Sequence, residues 1–145
     1  MITLERATEV DIPALLEIEG KLDNVRTYSP MLDRYGWAEE FGKCEVYLIK
    51  KNGTVVGNTS YSRDGDKAYV SGLAITPEFQ HQGIGKDVLC QILEKLKDVP
   101  YIWLVTHPEN KASLKLYNSF GFLVESRKEN YFGDGEPRLV LSRKK

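Results

Sequence analysis

The stretch EFQHQGIGKDVL, Glu78–Leu89, decides the fold of this chain. Gly83 and Gly85 stand just before an apolar run with helical spacing, in which Ile84, Val88, Leu89, Ile92, Leu93 and Leu96 share one face. Glycines ahead of a helix let backbone N–H groups close on a phosphate without a Cβ in the way. The helix start adds unpaired donors and the positive end of its dipole. Three patterns compete for the stretch. A Walker A loop needs a glycine five residues before Gly85 and a hydroxyl after Lys86, but Gln80 and Asp87 stand there. A dinucleotide fingerprint needs a third small residue, and Val88 occupies that place in mid-chain. The third pattern, Gln/Arg-x-x-Gly-x-Gly/Ala, fits Gln80-His81-Gln82-Gly83-Ile84-Gly85 in full.

Working outward, Leu73-Ala74-Ile75-Thr76-Pro77 leads into the loop. Glu45–Lys50, Val55–Ser62 and Lys67–Ile75 read as a three-stranded antiparallel meander with turns at Asn52-Gly53 and Asp64-Gly65. Gly72 inside the third strand marks a bulge or a close backbone approach. Ile2–Arg6 is a first strand, and Asp11-Ile12-Pro13 opens a helix to about Gly20. A second short helix falls around Pro30–Glu40. Downstream, Val99-Pro100 stops the glycine-led helix, and Tyr101–Thr106 is a continuous apolar strand suited to a central position. A helix over Lys111–Phe120 ends at Gly121 as its C-cap. Phe122–Tyr131 and Arg138–Ser142 are the last strands, joined across Asp134-Gly135. The order β-α-α-β-β-β-α-β-α-β-β predicts an α+β fold, a mixed, mostly antiparallel sheet flanked by helices, in a single domain over residues 1–145.

This chain resembles the GNAT (Gcn5-related) N-acetyltransferase superfamily, whose members use acetyl-CoA. The likeness rests on the Gln80–Gly85 loop, on the strand and Thr76-Pro77 before it, and on Asn110-x-x-Ser113-x-x-Leu116-Tyr117 followed by Gly121-Phe122. It extends over nearly the whole order of elements and implies the GNAT acyl-CoA N-acyltransferase fold. The C-terminal part resembles RimI-like protein N-terminal acetyltransferases, through Asn130-Tyr131-Phe132-Gly133-Asp134-Gly135-Glu136. Two positions depart from that pattern. Phe132 replaces a second tyrosine, and Leu104-Val105-Thr106-His107 stands where Leu-Glu-Val-Arg is usual, so Val105 replaces the glutamate.

The resemblance implies a division of roles. Gln80, His81, Gln82, Gly83, Ile84, Gly85 and Lys86 line the site of the CoA pyrophosphate. Leu73, Ala74 and Ile75 bind the pantetheine arm through their backbone, with the Leu73 N–H polarising the thioester carbonyl. Asn110 bonds the pantetheine or orders the helix start, and Tyr117 protonates the leaving thiolate. Direct transfer to an amine requires deprotonation of that amine. His107 is a candidate base, since imidazole titrates near neutrality. Tyr69, Ser71, Glu45 and Glu109 are alternatives. Acceptor contacts fall to residues 22–43, with Tyr28 among them, and to Tyr69 and Tyr131. Asp23, Asp33, Glu39 and Glu40 are acids able to attract a cationic amine.

The reading is thus an acetyl-CoA:amine N-acetyltransferase acting on a protein N-terminus or a small amine. The alternative is a non-catalytic acyl-CoA-binding regulatory module. Composition agrees with both. The 145 residues suit one core, and a formal net charge of −1 argues against nucleic acid as the main partner. The Arg143-Lys144-Lys145 tail reads as a solvated end. Only Cys44, Cys90, His81 and His107 offer soft ligands, too scattered for a metal site, and each cysteine reads as a small buried apolar residue. No signal peptide or membrane-length apolar run is visible, so a cytoplasmic setting is expected, and the resemblance implies a monomer or homodimer.

Overall fold

Apolar residues in the strand Glu45–Lys51 (β2) alternate in a way that buries both faces: Val46 and Leu48 on one, Tyr47 and Ile49 on the other. Such a strand needs a layer on each side. The computed structural model, which describes residues 1–145, supplies both layers. Helices α1 (Ile12–Gly20) and α2 (Arg34–Lys43) bring Ile12, Leu15, Ile18 and Trp37 onto Val46 and Leu48. Helix α3 (Ile84–Lys95) lays Val88, Leu89 and Ile92 on the opposite face, against Ile49 and Val56, and α4 (Lys111–Ser119) adds Tyr117 there.

The strands β1 (Ile2–Arg6), β2, β3 (Thr54–Asp64), β4 (Lys67–Ile75), β5 (Tyr101–Thr106), β6 (Leu123–Lys128) and β7 (Arg138–Lys144) form one sheet in the order β1-β2-β3-β4-β5-β7-β6. Only β4 and β5 run parallel, because α3 carries the chain across between them. All other neighbours are antiparallel. The element order matches the sequence reading, with short 3-10 turns added at Glu9–Asp11 and Pro77–Phe79.

Several boundaries differ from expectation. Helix α2 starts after Asp33, not at Pro30, because the Asp33 carboxylate caps the Gly36 N–H at 2.7 Å. The second hairpin turns on Gly65-Asp66, one residue later than read, with Gly65 carrying the positive φ of 60°. The edge strand β6 stops at Lys128, and Asn130 then takes φ 50°, which ends extended pairing before Tyr131. Cys44 is buried, but Cys90 is exposed on α3, contrary to the expectation for both.

One irregularity shapes everything that follows. β3 pairs Ser60 with Gly72 and Tyr61 with Val70, leaving Ser71 as an extra, bulged residue. β4 stays paired with β5 only from Lys67↔Tyr101 to Val70↔Leu104. Beyond Val70 the two parallel strands separate, and one edge of β4 loses its partner.

Candidate active site

The opening beside β4 has a defined hydrogen-bonding character. Thr76 donates its N–H to the Val56 carbonyl at 2.9 Å. The two-residue period of a strand then turns the Ala74 N–H toward β3, and those of Leu73 and Ile75 away from it, into the opening. Gly57 makes this edge possible. A Cβ there would sit 2.1 Å from the Ala74 carbonyl oxygen, so β3 and β4 approach this closely only over glycine.

At the end of β4 the chain turns through Pro77–Phe79 into α3. The Gln80 side-chain amide donates to the Ile75 carbonyl at 2.9 Å and ties the loop to the strand. His81 and Gly83 both take left-handed backbone, φ 65° and 79°. Such residues gather successive N–H groups onto one side. Nothing lies within 4 Å of a Cβ placed on Gly83, so the space before the helix is open to a ligand. The N–H groups that begin α3 have no partner within the helix.

A cleft of about 420 Å³ runs between β4, the start of α3 and α4. Leu73, Ala74, Ile75, Gln80, His81, Gly83, Ile84, Gly85, Lys86, Asn110 and Tyr117 all line it. Gln82 does not. Its amide oxygen accepts from Lys51 Nζ at 2.7 Å, and its Nε2 donates to the Glu78 carbonyl at 3.4 Å. Asn110 caps α4, its Oδ1 accepting the Ser113 N–H at 3.3 Å. Tyr117 packs edge-on against Phe122 at 6.0 Å, and burial pushes its phenol up to about 12. No protein group bonds its hydroxyl, yet no buried side-chain polar atom is left unpartnered, so the hydroxyl is open to the cleft.

Tyr28 also lines this cleft. Its hydroxyl donates to Glu19 at 2.7 Å, and burial first, then the Glu19 charge, holds the phenol well above its usual value. Glu19 is itself 2% exposed and is satisfied by Tyr28, by the Met31 N–H at 3.1 Å and by Asn58 Nδ2 at 3.0 Å. It anchors the segment between α1 and α2.

A second cleft, of about 470 Å³, lies next to the first: Tyr28 and Leu73 face one, Ser29 and Ser71 the other. Tyr69, Ser71, Glu40, Cys44, Met31 and Phe132 line it. Tyr69 stacks on Trp103 at 4.0 Å, and burial raises its phenol above the usual range. Tyr131 meets Phe132 edge-on at 4.8 Å at the rim. The loop holding this pair is pinned by Arg138, 2% exposed, which bonds Asp134 at 2.9 Å.

His107, the candidate base beside Pro108, is buried at the end of β5. It is 1% exposed, and both ring nitrogens are engaged. Nδ1 accepts the Glu109 N–H at 3.0 Å, which leaves Nε2–H to donate to Glu136 Oε1 at 2.7 Å. Arg26 bridges Glu136 and Glu109, each at 2.7 Å. The His107 hydrogen bond, then the Arg26 guanidinium, holds the Glu136 carboxyl below its usual range. Among the alternative bases, Glu109 is paired to Arg26, and Glu45 is held by Arg6, Tyr47 and Tyr61. Neither lines either cleft.

The sequence profile of the Acetyltransferase (GNAT) family matches residues 12–122, from the first helix to the end of the Tyr117 segment. The chain belongs to this family. The [ribosomal protein bS18]-alanine N-acetyltransferase of Escherichia coli (strain K12) is 26% identical over 151 residues, covering 97% of this chain and 95% of that protein. The N-terminal acetyltransferase B complex catalytic subunit NAA20 of Arabidopsis thaliana is 23% identical, covering 95% and 78%. The crystal structure of the E. coli ribosomal-protein-S18-alanine N-acetyltransferase superposes with a TM-score of 0.84 at 24% identity, over 99% of this chain and 94% of that one. A GNAT family acetyltransferase from Elizabethkingia anophelis with acetyl-CoA bound gives 0.77 at 20% identity, over 99% and 98%. As a GNAT member the protein is an acetyl-CoA-dependent N-acetyltransferase. Its first cleft has the chemistry that donor requires: N–H groups at a helix start for phosphate and an open strand edge for amides.

Proposed function

We propose that the acceptor is the α-amine of a protein N-terminus, and that the two clefts hold donor and acceptor together for direct transfer. The observation that carries this is the second cleft. It reaches β4 at Ser71, one side of the strand split, while the donor cleft reaches the same strand at Leu73. Its walls come from the α1–α2 segment and the β6–β7 loop, so a chain end can enter between them. Two relatives, the [ribosomal protein bS18]-alanine N-acetyltransferase and the N-terminal acetyltransferase B catalytic subunit, are named for protein acceptors, which supports the same class.

The residues divide the work as follows. The N–H groups of Gly83 to Lys86 and the Lys86 ammonium face the pyrophosphate, and Leu73 and Ile75 offer theirs to the pantetheine amides. The Leu73 N–H stabilises the oxygen that becomes negative during attack. Bound acetyl-CoA supplies a thioester carbon open to a nucleophile. Tyr117, fully protonated at working pH, gives its proton to the departing sulfur. Tyr28 and Asn110 form the cleft wall rather than reacting groups. His107 acts as a positioning residue: with no free ring nitrogen, it fixes Glu136 and the turn at 107–110. Tyr69 and Tyr131 flank the acceptor. Residues 1–145 work as one domain, and a reducing cytoplasm suits the two free cysteines.

The test is thiol release from acetyl-CoA with three acceptors: a short peptide with a free N-terminal alanine, the same peptide N-acetylated but carrying a lysine, and spermidine. Turnover with the free-alanine peptide alone is expected. Turnover with spermidine but not with that peptide would refute the proposed acceptor.

A further inference from the structure

The family position that usually carries a glutamate is Val105 here; among the other candidate bases His107, Ser71, Glu45 and Glu109 are engaged by protein partners, and burial raises the Tyr69 phenol above the usual range. One carboxylate is differently placed. Glu40, on α2, is 7% exposed and lines the acceptor cleft. Its Oε2 meets Ser60 Oγ at 2.9 Å and Ser71 Oγ at 2.8 Å. The two hydroxyls are themselves 2.7 Å apart. No N–H or O–H group bonds its Oε1, and the Cys44 thiol is a further polar neighbour of the carboxylate. Since no buried side-chain polar atom is left unpartnered, that oxygen is open to the cleft.

We propose that Glu40 is the base of the reaction, with Oε1 holding the acceptor's ammonium and then accepting its proton. This rests on the amine-acceptor reading above. In the step one N–H bond breaks, one O–H bond forms, and the electron pair stays on nitrogen as the nucleophile.

Placement favours the assignment. Ser71 is the bulged residue at the split, and Leu73 lies two residues, roughly 6–7 Å, further along the strand. That gap leaves room between the two for an amine nitrogen and the carbonyl it attacks, whose reacting atoms stand about 3–3.5 Å apart. The groups facing Glu40 are Ser60, Ser71 and Tyr69 from the sheet, Cys44 from the end of α2, and Tyr28 from the α1–α2 segment, with Lys43 and Asp33 on the cleft wall. Burial pushes both the Cys44 thiol and the Tyr69 phenol up, so neither competes as a base near neutrality.

The experiment compares Glu40→Gln with the parent protein in thiol release, using the free-alanine peptide or whichever acceptor the parent accepts, between pH 6.5 and 9.5. At pH 7 the variant's kcat/KM is expected to fall by about 100-fold or more. The deficit should shrink to several-fold by pH 9.5, above the ~8 of an α-amine, because the amine is then already neutral. Stabilisation by acetyl-CoA should be retained. Full activity at pH 7, or an equal deficit at every pH, overturns the proposal. If Glu40→Gln does not fold, Ser60→Ala gives the second reading. It removes a donor to the carboxylate and should move the acid limb of the rate profile to higher pH; an unmoved limb overturns the assignment. Absence of turnover by the parent with any of the amines would instead refute the reading on which the proposal rests.

Discussion

Replacing Gly57 by alanine tests the geometry of the donor cleft without touching any group that meets the substrate. The added Cβ would lie 2.1 Å from the Ala74 carbonyl oxygen and 3.1 Å from its carbonyl carbon. Contacts of a real Cβ essentially never fall under 3.0 Å, so β4 must retreat from β3 by about 0.9 Å or more at this point. The obstacle is backbone, which cannot rotate away as a side chain does. Overpacking of this kind costs about 1–3 kcal/mol, or roughly 3–10 °C in melting temperature for a domain of this size. The same displacement carries Leu73 and Ile75 into the opening and misaligns the N–H groups offered to the donor. Differential scanning fluorimetry with an acetyl-CoA titration reads both effects. The apo protein should melt lower, and the acetyl-CoA-dependent rise should need a several-fold higher concentration. A Gly57→Ala protein with parental melting temperature and parental acetyl-CoA response would refute the argument that this close approach sets the cleft.

Other substitutions separate the remaining roles. Tyr117→Phe keeps the ring packed on Phe122 and removes a hydroxyl with no protein partner, so stability should change by less than about 1 kcal/mol. Its turnover at saturating acetyl-CoA should fall about 100-fold, as measured by thiol release. Because burial pushes that phenol up to about 12, the parent rate should show no alkaline loss from Tyr117 up to pH 10. Ile92→Ala, at a fully buried site on α3, should cost about 2–5 kcal/mol in urea unfolding while leaving the catalytic residues in place. Glu136 has a lowered native carboxyl, so its contribution is present above the unfolded value near ~4.3 and is lost as pH falls through the lower native one. Glu136→Gln should therefore flatten the acid-side fall of melting temperature below about pH 4.5.

The fold was legible because its signals are local. Asn52-Gly53 makes a tight turn, Gly83 and Gly85 open a helix whose apolar stripe is regular, and Gly121 caps α4 with φ 90°. The donor cleft was legible for the same reason: its residues come from three short runs. The acceptor side draws on segments distant in sequence, and there the reading was weaker. Glu40 stood among four acids with nothing to single it out, although it falls in phase with buried Trp37 on α2 and with Cys44 just past its end. Glu19 gave a similar signal, in phase with Ile12 and Leu15, and was passed over. A carboxylate on an apolar helix face implies buried partners elsewhere, but the sequence does not say that they are Ser60, Ser71 and Asn58. Gly57 was also missed, since only the tertiary approach of Ala74 makes a side chain impossible there. The setting of His107 was hidden for a comparable reason. A histidine beside Pro108 reads as a surface turn, and its burial depends on Glu136, 29 residues away.

The extra residue in β4 also changes how the enzyme can diverge. Up to the bulge, Tyr69 and Ser71 line the second cleft with side chains; after it, Leu73 and Ile75 turn main-chain N–H groups into the first, the division on which the proposed roles rest. Main-chain donors survive most substitutions, whereas side chains do not. A single strand thus holds a half whose N–H groups do not depend on side-chain identity and a half whose side chains decide what it meets, separated by one bulge. Substrate preference can drift through point changes at one end while the donor chemistry at the other stays intact.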